Sequence, residues 1–203
     1  DYTADNADVI RLSESLQPAA DFYRIEKKSR KTKNDGAWMN FPSVSLFSST
    51  ANAEMTKFFK YLGCEASTNA YSITGSTPLV DCLFSVRYAL YSDYEPDTDL
   101  TRFLQESGDT RLYENLYTLP LGFVLPSGLE DNWQYEMDNP AEVQNDLCLL
   151  LGVDDVLVPI ETQTGVGTCT FTADIPGEYY AFSDNKKLKS IRAELPSGNK
   201  SFN

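Results

Sequence analysis

The chain has 203 residues, and its 41% hydrophobic and 23% charged residues are typical of a folded globular protein rather than a disordered one. Thirty acidic against 17 basic residues give a formal net charge of −13, which disfavours binding to a nucleic-acid backbone. Because the chain has no histidine, serine–histidine–aspartate catalysis, cysteine–histidine catalysis and histidine-ligated zinc are excluded.

The N-terminal third of the chain predicts a helix, a strand and a second helix. Residues 3–19 carry apolar side chains at helical spacing, at Val9, Ile10, Leu12 and Leu16. Residues 21–26 alternate between apolar and polar side chains, which predicts a half-buried strand. Residues 36–50 are rich in aromatic side chains and are predicted to be irregular. Residues 52–62 return to helical spacing, and Gly63 is well placed to end that helix.

The middle of the chain predicts a strand that returns beside the first one. Pro78 suits the first turn of a short helix that continues to about Ser85, and residues 86–91 predict a strand. The order strand–helix–helix–strand favours a crossover that places the two strands in one partly parallel sheet. Residues 111–125 predict a hairpin or strand pair, with residues 121–125 as a third core strand.

The C-terminal third begins with a well-marked helix and then changes character. Asn139 and Pro140 predict the start of a helix that ends before Gly152. Alternating sequence then predicts antiparallel β-structure in residues 162–172, 179–182 and 188–195. We therefore predict an α+β fold with an α/β-like core: a small mixed, partly parallel sheet with flanking helices, followed by an incomplete antiparallel β-unit. The predicted division is an α/β domain at residues 1–160 and a partial β-rich segment at residues 161–203.

The hydropathy and the cysteines add further expectations. No run of ~18 apolar residues is present, so no membrane span is predicted. The start of the chain has neither an initiating methionine nor the features of a signal peptide, and we expect a soluble piece of a longer protein. The cysteines are far apart and form no CxxC pair, which predicts no metal site and leaves disulfide pairing open. Two of them lie in apolar stretches and are expected to be buried thiols, namely Cys82 and Cys148.

A cluster of basic residues stands out on this acidic chain. We call residues 27–33 the basic loop; its charged members are Lys27, Lys28, Arg30, Lys31 and Lys33. They indicate contact with an anionic partner, such as a lipid headgroup or a phosphate polymer. Apolar residues follow closely, at Trp38, Met39, Phe41 and Phe47. If exposed, they would suit a membrane interface. The alternative is a solvated hairpin end whose downstream aromatic side chains enter the core.

The acidic residues offer no firm catalytic or metal site. Acidic residues alternate in one loop, at Asp93, Glu95, Asp97 and Asp99. The EF-hand calcium pattern fails there, because Thr98 replaces its glycine and Leu104 replaces its final glutamate. A solvated acidic turn is therefore predicted. A catalytic pair such as Asp81 with Glu114 would have to converge in space, which the sequence does not show. We predict no catalytic residue, no metal and no cofactor in this chain.

An ordered series of short motifs covers residues 20–160. The most specific is Tyr-Glu-Asn at residues 113–115, followed by Leu-Pro-Leu-Gly-Phe at residues 119–123. Supporting motifs occur at residues 22–26, 77–81, 86–90 and 139–147. In this order, the series resembles the extracytoplasmic region of the YfhO family of bacterial multi-spanning membrane proteins.

The resemblance implies a context for the chain. Such proteins resemble GT-C-like integral-membrane glycosyltransferases, which move sugar from a polyprenyl-phosphate carrier to a surface polymer such as lipoteichoic acid. The chain would then be a non-catalytic accessory domain on the extracytoplasmic face of the bacterial cell membrane. It would bind the acceptor polymer, anionic lipid headgroups or the membrane portion of the parent protein. The resemblance implies these binding candidates, for each of which a scaffold role is favoured over binding: Tyr23, Arg24, Asp81, Glu114, Asn115, Asn139, Gln144 and Asn145.

Two other classes of function remain open from the residues. A free-standing carbohydrate- or peptide-binding module would have an aromatic cleft, for which Trp133 and Tyr135 are candidates, and would bind sugar independently of salt. A carboxylate-dependent glycosidase would need two acids that face each other across a cleft, about 5–10 Å apart.

Overall fold

The structure is a computed structural model that describes residues 3–16, 21–92, 94–96, 98–175, 177–183, 191–195 and 198–202. The helices are α1 (Asn6–Ser15), α2 (Asp35–Met39), α3 (Ala53–Tyr61), α4 (Pro78–Leu83), α5 (Leu129–Asn132) and α6 (Pro140–Leu150). The strands are β1 (Arg24–Lys27), β2 (Leu46–Phe47), β3 (Ala66–Ser67), β4 (Ala70–Tyr71), β5 (Val86–Tyr91), β6 (Thr101–Ser107), β7 (Thr110–Asn115), β8 (Gln163–Gly165), β9 (Thr168–Thr170), β10 (Ile191–Leu195) and β11 (Gly198–Phe202).

The central sheet has four strands in the order β1-β5-β7-β6. Strand β1 runs parallel to β5, with Ile25 opposite Tyr88 and Lys27 opposite Leu90, whereas the β5–β7 and β6–β7 pairs are antiparallel. The predicted crossover and the mixed, partly parallel sheet are confirmed. Because β1 ends at Lys27, the basic loop leaves the sheet directly beside the end of β5.

The helices pack in two separate hydrophobic cores. The first core joins α1 and α2 to the sheet through Val9, Leu12, Ile25, Met39, Phe41, Tyr88, Leu90 and Leu112. The second core lies among α3, α4 and α6 and contains Phe59, Leu62, Cys64, Ile73, Val80, Val86 and Val143. Strand β5 contributes to both cores, with Val86 in the second and Leu90 in the first, while Ala89 and Tyr91 form a smaller cluster with Tyr113.

Local signals set several helix boundaries where the sequence predicts them. Asn139 caps α6 by accepting a hydrogen bond from the backbone N–H of Ala141 at 3.0 Å, and Pro140 occupies the first helical turn. Gly63 follows α3 with a φ of +85°, the left-handed conformation that favours glycine. Phe182 also packs so closely that a Cβ at Gly63 would lie 2.5 Å from its ring.

The antiparallel β-structure predicted beyond residue 160 is confirmed by two hairpins, β8–β9 and β10–β11. Residues 179–182, however, form no strand. Parts of two predicted elements, at residues 17–19 and 188–190, lie outside the described residues, as do Asp93 and Asp97. Among the helices of the described residues, none combines the length and the apolar character needed to cross a bilayer.

Two further predictions are wrong. Residues 36–50 are not wholly irregular, since they contain α2, β2 and the turn between them. Residues 121–125 are not a core strand: they lie outside the sheet, and Val124 is 98% exposed. Strand β6, formed by residues 101–107, pairs with β7 instead. The predicted strand is intrinsically weak, because Pro120 before it lacks a backbone donor and Gly122 lacks a side chain to pack.

Candidate functional site

The first half of the basic loop is held by buried ion pairs. Lys27, whose side chain is 1% exposed, contacts Asp5 at 2.9 Å, and Lys28 contacts Asp81 at 2.8 Å. Burial raises the pKa of Asp5, but hydrogen bonds from Lys31 and Lys27 outweigh burial and lower that pKa to about 2. Burial also lowers the pKa of Lys28, and the opposing charge of Asp81 leaves it above its ordinary value. These pairs fix the loop to the start of α1 and to α4.

The second half of the loop is more exposed and converges on one acid. Lys33 Nζ contacts Glu65 Oε1 at 2.6 Å, and Arg30 Nη2 contacts Glu65 Oε2. Ser72 donates a further hydrogen bond to Glu65 Oε2 at 2.7 Å, and Arg30 Nε donates to Thr74 Oγ1 at 2.9 Å. Burial raises the pKa of Glu65, but the bonds from Lys33 and Ser72 and the charge of Arg30 leave it below its usual value. All five predicted cations of the loop therefore have acidic partners in the same chain.

An open cleft of about 660 Å³ lies beside this second half of the loop. Its lining residues are Arg30, Lys31, Thr32, Lys33, Asn34, Trp38 and Phe47. Three of these are basic and none is acidic, although the whole chain carries a net charge of −13. Trp38 is 46% exposed and Phe47 is 59% exposed, whereas Met39 and Phe41 are buried in the first core. The cleft therefore combines cations with two aromatic rings that water can reach.

Side-chain hydrogen bonds build the cleft walls. Asp35, the first residue of α2, accepts hydrogen bonds from the backbone N–H groups of Lys31 and Thr32, both at 2.8 Å. Asn34 donates to the carbonyl of Phe47 at 2.9 Å and accepts from its N–H at 2.8 Å. This amide thus pairs with the Phe47 backbone as a neighbouring strand would, and it presents the aromatic ring at the cleft.

A buried carboxylate beneath the cleft is not predicted from the sequence. Glu26 is 2% exposed and accepts hydrogen bonds from Ser43 Oγ at 2.8 Å, Ser45 N–H at 3.1 Å and Ser45 Oγ at 3.0 Å, and also from Val44 N–H. Burial raises the pKa of Glu26 in spite of these donors. The side chain anchors the segment that leads to Phe47. The serines two residues apart, Ser43 and Ser45, are the only sequence signal for it.

The motif residues of the sheet make scaffold contacts. The rings of Tyr23 and Tyr88 meet edge to face, with centroids 5.0 Å apart. Arg24 donates from Nη1 to the carbonyl of Phe84 at 2.7 Å. Asn115 donates to the carbonyl of Val86 at 2.7 Å. These contacts tie strand ends to their neighbours and leave all three motif residues outside the cleft lining.

The motif residues of α6 hold the second core together. Gln144 is fully buried, accepts from Thr77 Oγ1 at 2.5 Å and donates to the carbonyl of Leu62 at 3.0 Å. Asn145 donates to the carbonyl of Leu157 at 2.8 Å and accepts from its N–H at 3.1 Å. Together with the Asn139 cap, these bonds fix α6 against α3, α4 and the segment that follows it.

The two acids weighed as a catalytic pair have separate partners. Asp81 contacts Lys28, and it also accepts a hydrogen bond from Ser76 at 2.6 Å. Glu114 contacts Arg87 Nε at 3.1 Å and also Arg102. Burial raises the pKa of Glu114, but the hydrogen bonds from these two arginines leave it below its usual value. A carboxylate stabilised in its charged form is poorly suited to be the general acid of a glycosidase.

The other candidate features are also placed by the structure. Trp133 is half-buried against the second core, donates to the carbonyl of Val143 at 2.9 Å and meets Phe58 edge to face. Tyr135 is 38% exposed. The cysteines are free thiols: Cys148 is buried as predicted, whereas Cys82 is half-buried. Within the part of the chain that the structure describes, no three acidic or cysteine side chains converge as metal ligands would.

Comparison with known proteins gives one result. The family model described as "Bacterial membrane protein YfhO" matches residues 1–186. No curated protein and no solved structure matches the chain.

Proposed function

The chain belongs to the YfhO family of bacterial membrane proteins, and from this membership we propose that it is the extracytoplasmic accessory domain of a membrane glycosyltransferase-like protein. The parent protein would transfer sugar from a polyprenyl-phosphate carrier to a cell-surface polymer such as lipoteichoic acid. This chain would be non-catalytic and would hold the acceptor polymer near the membrane portion of the parent. Residues 1–160 would form the binding domain and residues 161–203 the start of a β-rich unit.

The observation that carries the proposal is the chemistry of the open cleft. Arg30, Lys31 and Lys33 line the cleft and no acidic side chain does, although each of the three is paired with Asp5 or Glu65 outside the lining. The exposed rings of Trp38 and Phe47 supply apolar faces on which sugar rings can pack. A phosphate polymer with sugar substituents presents both kinds of group.

Exposed apolar residues support the second part of the proposal, docking onto the membrane portion of the parent. Tyr117 is 69% exposed, Leu121 is 62% exposed and Val158 is 75% exposed. Contiguous exposed apolar patches mark contact surfaces, so the docking proposal requires these side chains to lie together. The motif residues named above, all outside the cleft lining, would then support this surface from within.

Binding to purified lipoteichoic acid and to anionic liposomes across a salt series tests the proposal. We expect lipoteichoic acid to bind and its affinity to fall as salt rises, because the contributing charges lie at a solvated surface. The variant K33Q should weaken binding about two- to fivefold at low salt, as expected for the loss of one partly exposed charge. The matched control is K57Q, since Lys57 is an exposed lysine in an exposed pair with Glu54 on α3.

Lys27 and Lys28 are unsuitable for this test. Their ion pairs are buried, so charge reversal there would unfold the loop as well as remove charge. Absence of lipoteichoic acid binding at low salt would contradict the acceptor-binding role. Preference for the liposomes would instead assign the cleft to lipid headgroups.

A free-standing carbohydrate-binding module is the second candidate, and the exposed Trp38 and Phe47 favour it. The two candidate functions differ in how their binding depends on salt. A module of this kind binds neutral oligosaccharides with an affinity independent of salt, whereas the accessory domain requires the anionic backbone of the polymer.

A further inference from the structure

The acids that pair with the basic loop fall into two groups by exposure. The side chains of Asp5 and Asp81 are 15% and 12% exposed, and that of Glu65 is 39% exposed. Removal of either aspartate would leave a largely buried ammonium group without its charged partner, which is strongly unfavourable. Glu65 can turn towards water at a much smaller cost, and its partners Arg30 and Lys33 are 23% and 20% exposed. The pairs made by Glu65 are therefore the ones that a ligand can replace.

The groups around Glu65 have the geometry of an anion receptor. One carboxylate oxygen contacts Lys33, and the other contacts Arg30 and Ser72. The bond from Arg30 Nε to Thr74 fixes the plane of the guanidinium group. A planar guanidinium beside an ammonium group suits an anion that offers two or more oxygens, such as a carboxylate or a phosphate.

The same two cations line the cleft, whereas Glu65 is absent from its lining. Arg30 and Lys33 thus have one side towards Glu65 and the other towards the space that contains Trp38 and Phe47. An anionic group that enters this space competes with Glu65 for the same donors. An adjoining sugar ring would at the same time reach an exposed aromatic face.

We propose that Glu65 is an internal substitute for the anionic group of the ligand, and that a phosphate group of a sugar-phosphate chain displaces it from Arg30 and Lys33. This inference rests on the proposed function, because it concerns the same cleft. Phosphate is the preferred displacing group because it can offer separate oxygens to both cations while its ester links continue along the cleft. Glu65 then turns into water and lowers the affinity of the free protein by competition.

The variant E65Q tests this competition directly. It removes the charge of Glu65 and keeps its size, so Arg30 and Lys33 are available to the ligand. Isothermal titration with deacylated lipoteichoic acid should show binding about two- to tenfold tighter than wild type, the effect expected from losing two surface ion pairs. The control E54Q removes an acid that is 76% exposed and paired only with Lys57 among the ion pairs of the described residues, and it should leave the affinity unchanged.

A second variant protects the test against misfolding. S72A removes one hydrogen bond to Glu65 and keeps the charge, so it should give a smaller gain in the same direction. Thermal unfolding of each variant shows whether the fold is retained. Polygalacturonate, a sugar chain with carboxylates in place of phosphates, shows which class of anion displaces Glu65. The gain in affinity caused by E65Q should be smaller for polygalacturonate than for the phosphate polymer.

The outcomes separate this inference from the proposed function. Binding by wild type with no gain in E65Q and S72A overturns the inference and leaves the proposed function in place. Binding by wild type that tightens in E65Q, and tightens less in S72A, supports the inference. An equal gain with polygalacturonate contradicts the preference for phosphate. Absence of binding by all variants contradicts both proposals.

Discussion

Asp5 shows how much of the basic loop depends on residues distant in sequence. Lys27 and Lys31 contact this aspartate at the start of α1, Lys28 contacts an acid 53 residues away, and Lys33 contacts one 32 residues away. The sequence identifies the cations because they are clustered. It cannot identify their counterions, because pairs between distant residues follow from the tertiary fold and leave no local pattern. The number of these counterions nevertheless decides how much net positive charge of the basic loop is left for a partner.

At the residue scale, the Asp5 carboxylate gives a pH-dependent test. Its pKa in the folded chain, about 2, is below the ordinary value of 3.8. A lowered pKa means that the carboxylate stabilises the fold above about pH 4 and that this stabilisation is lost as the pH falls towards 2. Compared with wild type, D5N should unfold with a free energy about 2 kcal/mol lower at neutral pH.

Urea unfolding of both proteins between pH 7 and pH 2 measures this difference. The difference in the free energy of unfolding between wild type and D5N should decrease between pH 4 and pH 2, because protonated Asp5 resembles asparagine. A gap that stays constant over this range would show that Asp5 does not act through its charge.

At the element scale, local signals predict the boundaries of α3, α4, α6 and β5. The cap residues, prolines and glycines act within one helical turn, so the sequence displays them directly. The segment of residues 36–50 is different, because long-range bonds hold it. Glu26 binds Ser43 and Ser45, and Asn34 binds Phe47. These bonds place Trp38 and Phe47 at the cleft, and the sequence alone shows only that aromatic residues are present.

The α6 cap separates scaffold from binding roles. Asn139 is both a helix cap and a motif residue of the family resemblance. If Asn139 acts only as a cap, N139A should lower the free energy of unfolding by about 1 kcal/mol and leave polymer affinity unchanged. N52A is the matched control, because Asn52 caps α3 by accepting from Glu54 N–H at 2.8 Å.

Urea unfolding and polymer titration of both variants distinguish the two roles. A loss of affinity in N139A that exceeds the loss in N52A, at equal stability, would assign Asn139 to a binding surface instead.

At the scale of the whole molecule, the charge of −13 and the basic cleft have opposite effects on an approaching polyanion. The overall field repels it at long range, while Arg30, Lys31 and Lys33 attract it at contact. Composition alone disfavours nucleic acid as a partner but cannot locate this basic cleft. The family match extends over residues 1–186, beyond the motifs at residues 20–160, and so includes α1 and both strands of the β8–β9 hairpin.

The affinity of the W38A variant for deacylated lipoteichoic acid tests most directly whether the cleft is the binding site. Trp38 lines the cleft and is 46% exposed, so its loss should leave the fold intact. We predict binding at least about tenfold weaker than wild type, as for the loss of an aromatic residue central to an interface. F103A, which removes a ring 49% exposed on β6, should bind as wild type does. Equal affinity of W38A and F103A would contradict the assignment of the cleft.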